Sequence, residues 1–417
     1  MLTSNELDSS GLTSYGEKFL LAQANALLEF GEGSVMPGAG FGYMDLHGVV
    51  DLSMPRQVYI QARMIEIFGL ADILKLSDSK HLVTHGLRAL KNNFHDKEHG
   101  GFFSAITLQG VPIGENKLAY DHDFVILASA TGLAMKDPLA QEIFSEATGI
   151  IDKYYWDEEF NMVRDQWDLS FKHLDSYRGI NASMHAVESF TAAFDVTGDM
   201  RFHDRAVSIA TRAINQFARS NNWFLPEHFS ENWEILTEFN ADNPADQFKP
   251  YGVTIGHLFE WSRLILQLQL QKQPHDPSLE WVIESAKGLY QTGKTHGWNV
   301  DGAPGFVYTI DWQGVPVVRS RMQWVAAEAV MAAYTLWKIT GESEYLKDYD
   351  MWWAYIDEHV LDQQLGSWHH ELDTNNQPSE SMWPGKPDIY HSFNACIMPL
   401  LPLKSSFIAS ALSMRGK

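Results

Sequence analysis

A recurring stop signal constrains this chain more than any other feature. The pattern D-x-x-x-[GN], followed by aromatic or apolar residues, occurs four times: DKEHGGFF from Asp96, DEEFNMV from Asp157, DGAPGFVY from Asp301 and DQQLGSWHHEL from Asp362. Asp96 and Asp157 are 61 positions apart, and so are Asp301 and Asp362. The 144 positions between Asp157 and Asp301 leave room for another unit near NNWFLPEHF. Each copy reads as a short β-hairpin or extended loop between helices. TG pairs at Thr131-Gly132, Thr197-Gly198 and Thr340-Gly341 read as helix ends, glycine suiting the left-handed position past a last turn. QKQPHDPSLEW reads as a helix–helix connection. About six helix pairs of roughly 60–70 residues then tile the chain, the mark of a repeat architecture. One set of segments is apolar all round (FVILASA, AVESFTAAF, AAEAVMAAYTLW), and its partners are amphipathic (LAQEIFSEATGIIDKYY, RFHDRAVSIATRAINQFA). Inner helices buried by an outer ring would have these compositions. The expected fold is an all-α (α/α)6 barrel with short hairpin-like loops, one domain over 1–417.

Charge narrows the function. A net charge of −22 repels nucleic acid and anionic membrane surfaces alike. The densest basic stretch, KHLVTHGLRALK, reads as a solvated helix face. One cysteine, Cys396, allows neither an intrachain disulfide nor a cysteine zinc site. The start, MLTSNELDSS, has neither the basic nor the apolar region of a leader. No apolar run approaches the roughly 20 residues of a membrane span. A soluble cytoplasmic protein is expected, with no nucleic-acid or membrane partner. Aromatics are abundant, with 14 Trp and 15 Tyr. Such rings either pack between helices or line a sugar-sized pocket, where they would cover pyranose C–H faces.

Three histidines sit at the starts of expected inner helices. RGINASMHAVESF has His185 after a cap at Asn181 or Ser183, with Glu188 three residues on. GVTIGHLFEW has His257 after Thr254, with Glu260 three residues on. KPDIYHSFNA has His391 after Asp388, an N-cap following Pro387. Any one alone is commonly a satisfied core residue. A six-fold barrel with parallel inner helices would gather all three at one rim, where the helix dipole favours neutral imidazole. His81, His85, His95 and His99 read as surface helix and turn residues, while His369-His370 sits in a loop that could reach the rim. Arg63 lies inside an apolar run whose helix start Ser53 and Pro55 mark, so it needs an acid, Glu66 or another, or a wet cavity. H-x-x-E also occurs in carboxylate metal sites, but with further glutamates; no metal or other cofactor is expected here.

IQARM, GGFF, YRGINASMHAVESF, PEHF, NPA, GHLFEW, DGAPGFVYTIDWQG, SWHHELD and DIYH stand in an order and spacing that resembles the N-acylglucosamine 2-epimerase superfamily. The likeness runs from about residue 30 to 400 and is strongest to its aldose–ketose isomerase branch. It implies an (α/α)6 barrel and metal-free interconversion at C1 and C2 of a monosaccharide. By position it implies His257 and His391 as catalytic residues. It also implies Arg63, Asn181, His185 and Glu260 around the sugar, with Tyr120 and Trp324 as neighbours. The branch's sulfoquinovose enzymes carry an arginine where this chain has Gln247 and a glutamine where it has Pro387. A matching stretch reads SWHHELD here, so His370 stands where the family has a hydroxyl-binding amide. Lys249 is near, but without the arginine fork a sulfonate loses its bidentate partner, which favours a neutral sugar, mannose first. Four other readings stay open: a sulfoquinovose isomerase; a sugar 2-epimerase; an (α/α)6 glycoside hydrolase using a pair among Glu227, Asp311 and Glu371; and a non-catalytic sugar-binding relative.

Overall fold

The computed structural model describes residues 15–38, 40–272 and 277–414. The leader reading of MLTSNELDSS and the middle of QKQPHDPSLEW fall outside them. Outer and inner helices alternate in strict order: α1 Glu17–Glu32, α2 Val58–Ile73, α3 Lys80–Ala89, α4 Ala119–Ala134, α5 Ala140–Ile150, α6 Ile180–Thr197, α7 Met200–Ala210, α8 Ile255–Gln269, α9 Val282–Gly297, α10 Gln323–Thr340, α11 Ser343–Tyr355 and α12 Tyr390–Ile397. The even-numbered helices are buried on nearly every face. Odd-numbered ones bury a single stripe. Each even-numbered helix packs on the next and α12 packs back on α2, so the inner ring closes. A final helix, α13 Phe407–Ser413, packs against α2, α4 and α6. This is the (α/α)6 barrel that the alternation of apolar and amphipathic segments predicts.

The strand pairs stitch successive repeats together. The residues entering an inner helix pair antiparallel with a hairpin strand of the next repeat: Arg56–Gln57 with Ala105–Ile106, Asn116–Leu118 with Gln166–Asp168, and Arg178–Gly179 with His228–Phe229. Val253–Thr254 with Thr309–Ile310 and Arg321–Met322 with Glu371–Leu372 continue the series. The ring closes where Lys386 N–H donates to the Met44 carbonyl at 2.8 Å.

All four D-x-x-x-[GN] copies form hairpins, and the aspartate explains why the signature recurs. Asp96 accepts the N–H groups of Glu98 and His99 with one oxygen and Nζ of Lys117 with the other. Asp157 and Asp362 divide their oxygens in the same way, taking Arg164 and Lys386. Asp301 takes both ends of the Arg321 fork. Each carboxylate thus shapes or anchors its hairpin while pinning a cation.

A second repeated turn is absent from the sequence-based reading. Asp45, Thr107, Asp168, Ser230, Asp311 and Asp373 each accept, with a side-chain oxygen, the N–H four residues on. The residue three on is always left-handed: Gly48, Gly110, Phe171, Trp233, Gly314 and Asn376. Only the capping oxygen and the backbone twist repeat, so the letters differ too much to be read as a motif.

One TG reading is wrong. Gly198 and Gly341 end α6 and α10 with φ of 72° and 73°, as expected. Thr131-Gly132, however, lies inside α4. A Cβ at Gly132 would sit 2.8 Å from Cβ of Ala140 and 3.0 Å from Leu87, so this glycine serves close packing between helices.

Candidate active site

The inner helices start at one mouth of the barrel, and their first turns line a single cavity. Its empty space is about 740 Å³. All nine residues implied for the site line it: Arg63, Tyr120, Asn181, His185, His257, Glu260, Trp324, His370 and His391. Every inner helix contributes. Tyr120, Asn181, Trp324 and His391 are each the second residue of their helix, and His257 is the third of its own.

The helix starts differ from expectation in an instructive way. Neither Asn181 nor Ser183 caps α6, which begins at Ile180, and the Thr254 hydroxyl makes no capping bond. Instead the first helical N–H donates to a carbonyl of the next repeat's hairpin: Val58 to Ser104, Ala119 to Asp165, Ile180 to Glu227, Ile255 to Tyr308 and Gln323 to His370. The neighbouring repeat supplies the cap, which leaves Asn181 facing the cavity. It also carries the side chains of Glu227, Tyr308 and His370 to the mouth. Asp388 stands one residue before the N-cap of α12, Ile389, and its Oδ1 accepts the N–H of Tyr390, the first helical residue, at 2.9 Å. Ser53 and Pro55 do not start α2. Ser53 binds Asp51, and Arg56–Gln57 intervenes as a strand.

Each of the three histidines is held through Nδ1 by a buried glutamate. His185 donates to Glu188 at 3.0 Å, His391 to Glu328 at 2.9 Å, and His257 lies 3.0 Å from both oxygens of Glu227. A proton fixed on Nδ1 leaves Nε2 as the lone-pair nitrogen of a neutral ring. Only one H-x-x-E pair is therefore a contact. Glu260 does not meet His257; its Oε1 faces Arg263 at 3.6 Å and has no hydrogen-bond partner. Burial, then repulsion from Glu328 and Glu188, holds the Glu260 carboxyl well above the usual range. This environment favours its protonated form, which can donate to a hydroxyl. Burial also depresses His185 from 6.5 to about 4.

Trp324 lies between the two implied catalytic rings, its centroid 5.4 Å from His257 and 5.7 Å from His391. Its indole lies where Gly256 has no side chain. Arg63 binds Asp388 at 3.1 Å and the Tyr120 hydroxyl at 3.1 Å, rather than Glu66. Burial opposes ionisation of Asp388, but Arg63, His370, the Tyr390 N–H and His391 together outweigh it and hold that carboxyl below its ordinary value. His370 spends Nε2 on the Asp388 carbonyl at 2.9 Å. The amide of Gln247 donates to the Met382 carbonyl at 3.1 Å. Lys249 lies outside this lining, its Nζ 4.0 Å from the centre of the Tyr177 ring.

Three further residues build the site. The sequence offers Glu227 only as a hydrolase acid, and Glu328 and Arg263 belong to none of its recurring motifs. A charged residue inside AAEAVMAAY is the signal that marks Glu328. Glu371 and Asp311 are spent on loop geometry, the first accepting from Met382 and Trp383 N–H and the second capping its turn. His185, Glu188 and Glu260 form one group with metal-ligand spacing, and Glu260, Glu328 and His391 another. Arg263 lies against all three of these glutamates, supplying positive charge where an ion would sit.

The model of the N-acylglucosamine 2-epimerase family matches residues 39–395. The chain belongs to this family. Its relatives include a D-mannose isomerase of Thermobifida fusca, 39% identical over 399 residues that cover 95% of this chain and 97% of that one. A D-mannose isomerase of Pseudomonas cannabina pv. alisalensis is also 39% identical, with 95% of each chain covered. A solved structure of a D-mannose isomerase superposes with a TM-score of 0.86 at 26% identity, covering 94% of this chain and 99% of that one. Among the described residues, no helix is long and apolar enough to cross a membrane.

Proposed function

We propose that this member of the N-acylglucosamine 2-epimerase family is a cytoplasmic aldose–ketose isomerase that interconverts D-mannose and D-fructose. The observation that carries the reading is the set of histidines anchored through Nδ1 around one sugar-sized cavity. Moving the carbonyl from C1 to C2 requires opening the ring, removing the C2 proton and protonating C1 of a cis-enediol. His391 takes the C2 proton through Nε2 and returns it to C1. His257 serves ring opening and proton traffic at O1 and O2. A positioned base of this kind contributes roughly 10²–10⁴-fold. Arg63 faces the negative charge that develops on the enediolate, and Tyr120 orients its guanidinium. Neutral Glu260, with Asn181 and His185, binds hydroxyls. Trp324 underlies the sugar between the two histidines, and His370 supports Asp388 beneath Arg63. A neutral substrate fits, because the amide of Gln247 is spent on the backbone and Lys249 is turned to Tyr177. The chemistry assigned to these side chains needs no metal.

The test is NMR of EDTA-treated protein with D-mannose in D2O. Fructose carrying solvent deuterium at C1 is expected. Glucose growing in from the start as a main product would make the chain a 2-epimerase, and no turnover would sink the isomerase reading.

A further inference from the structure

Beneath the cavity, three glutamates converge on one guanidinium. Arg263 lies in the third turn of α8 and is 1% exposed. Nε donates to Oε2 of Glu328 at 2.8 Å and Nη2 to Oε1 of the same carboxylate at 3.3 Å. Nη2 also faces Oε1 of Glu260 at 3.6 Å and Oε1 of Glu188 at 3.8 Å. Nη1 donates to Gln267 at 2.9 Å, which fixes the plane of the fork. Two of these glutamates hold histidines: Glu328 accepts from His391 and Glu188 from His185. Glu227, the partner of His257, makes no ion pair with Arg263 among the described residues.

Carboxylates this close and this dry cannot all ionise without a compensating cation. A glutamate that became protonated would offer its own O–H to the imidazole and drive the ring proton to the opposite nitrogen. We propose that Arg263 is a positioning residue for the isomerisation: it keeps Glu328 and Glu188 as anions, which fixes the protons of His391 and His185 on Nδ1 and turns both Nε2 lone pairs to the sugar. One buried cation thereby sets two histidines at once, while the third is set independently. The role in catalysis rests on the reading of His391 as the proton-transfer group, whereas the effect on the imidazoles can be observed without any substrate.

The experiment is two-bond ¹H–¹⁵N NMR of the full-length chain labelled at histidine, with signals assigned by their loss in H185N, H257N and H391N. All three rings are expected as the Nδ1–H form in the unmodified protein. R263M should convert His391 and His185 to mixed or Nε2–H forms and leave His257 unchanged. It should also lower kcat about a hundredfold with KM within about threefold. R263K keeps the charge, and with it the fold, but cannot span two carboxylates. It should disturb His391 or His185 alone, with kcat reduced about tenfold. A folded R263M with three native imidazoles overturns the proposal, as does one in which His257 changes as much as His391. R263K with native rings and native kcat overturns it too. Imidazoles that respond as expected in a protein that does not turn over mannose would retain the coupling and sink the isomerase reading instead.

Discussion

Both oxygens of Glu227 lie 3.0 Å from Nδ1 of His257, across 30 residues of chain. Glu227 reaches that place because its own carbonyl receives the first N–H of α6, so one residue closes a neighbouring helix and orients a histidine. Glu227→Gln keeps the shape but can present an amide N–H to Nδ1, which forces the proton to Nε2. A kcat loss of roughly 10²–10⁴-fold with little change in KM is expected. Steady-state kinetics on mannose would check it, and a variant within threefold of the parent would refute the assigned role.

Gly256 is the clearance for Trp324. A Cβ there would sit 2.1 Å from the indole, closer than atoms can approach. Gly256→Ala should swing Trp324 away from His257 and His391 and reduce kcat/KM by at least about tenfold. The melting temperature should fall only modestly, since the ring is partly exposed. Tryptophan emission that stays native, together with native kcat/KM, would contradict this account.

Lys117 is fully buried and donates to Asp96 at 2.6 Å, to the Gly100 carbonyl at 2.6 Å and to the Leu169 carbonyl at 2.8 Å. It ties one hairpin to the next. Lys117→Met strands the Asp96 charge and two carbonyls, a change expected to cost about 3–5 kcal/mol. Chemical denaturation measures it, and a loss below about 1 kcal/mol would show the tether to be dispensable.

Asp121 gives a pH-dependent prediction. Burial pushes its carboxyl from 3.8 to about 7, against a smaller lowering by Ser104. Between those values the folded chain retains a proton that the unfolded chain releases, so this residue makes stability fall as pH rises from about 4 to 7. Asp121→Asn removes that dependence. The variant's melting temperature relative to the parent should rise across this window and level off above it. A flat difference would mean that the carboxyl ionises normally.

The parts legible in the sequence are those where one residue type repeats for one local reason. Apolar and amphipathic runs alternate because inner and outer helices bury different fractions of their surface. The hairpin aspartates recur because each caps or anchors its own turn. His185, His257 and His391 are legible only as a set, because a six-fold barrel gathers imidazoles near the starts of its inner helices at one rim. The six tip turns are not legible as a motif, since glycine, asparagine, phenylalanine and tryptophan all take the left-handed position. Phe171 and Trp233 tolerate it while burying their rings, a gain of about 2–3 kcal/mol against roughly 1–2 kcal/mol of strain.

What the sequence alone determined was the ring of six helix pairs and the histidines near its inner-helix starts, because helical periodicity and turn chemistry act over a few residues. The rotation of each helix decides whether Tyr120 and Trp324 face the cavity. The tertiary structure decided how those side chains are paired. H-x-x-E spacing suggested His257 with Glu260, but the fold gives His257 to Glu227 and leaves Glu260 facing Arg263. Glu328 and His391 meet from separate inner helices, 63 residues apart. Such contacts depend on the closure of the ring, which brings the start of one repeat against the hairpin of the next. No local spacing encodes that closure.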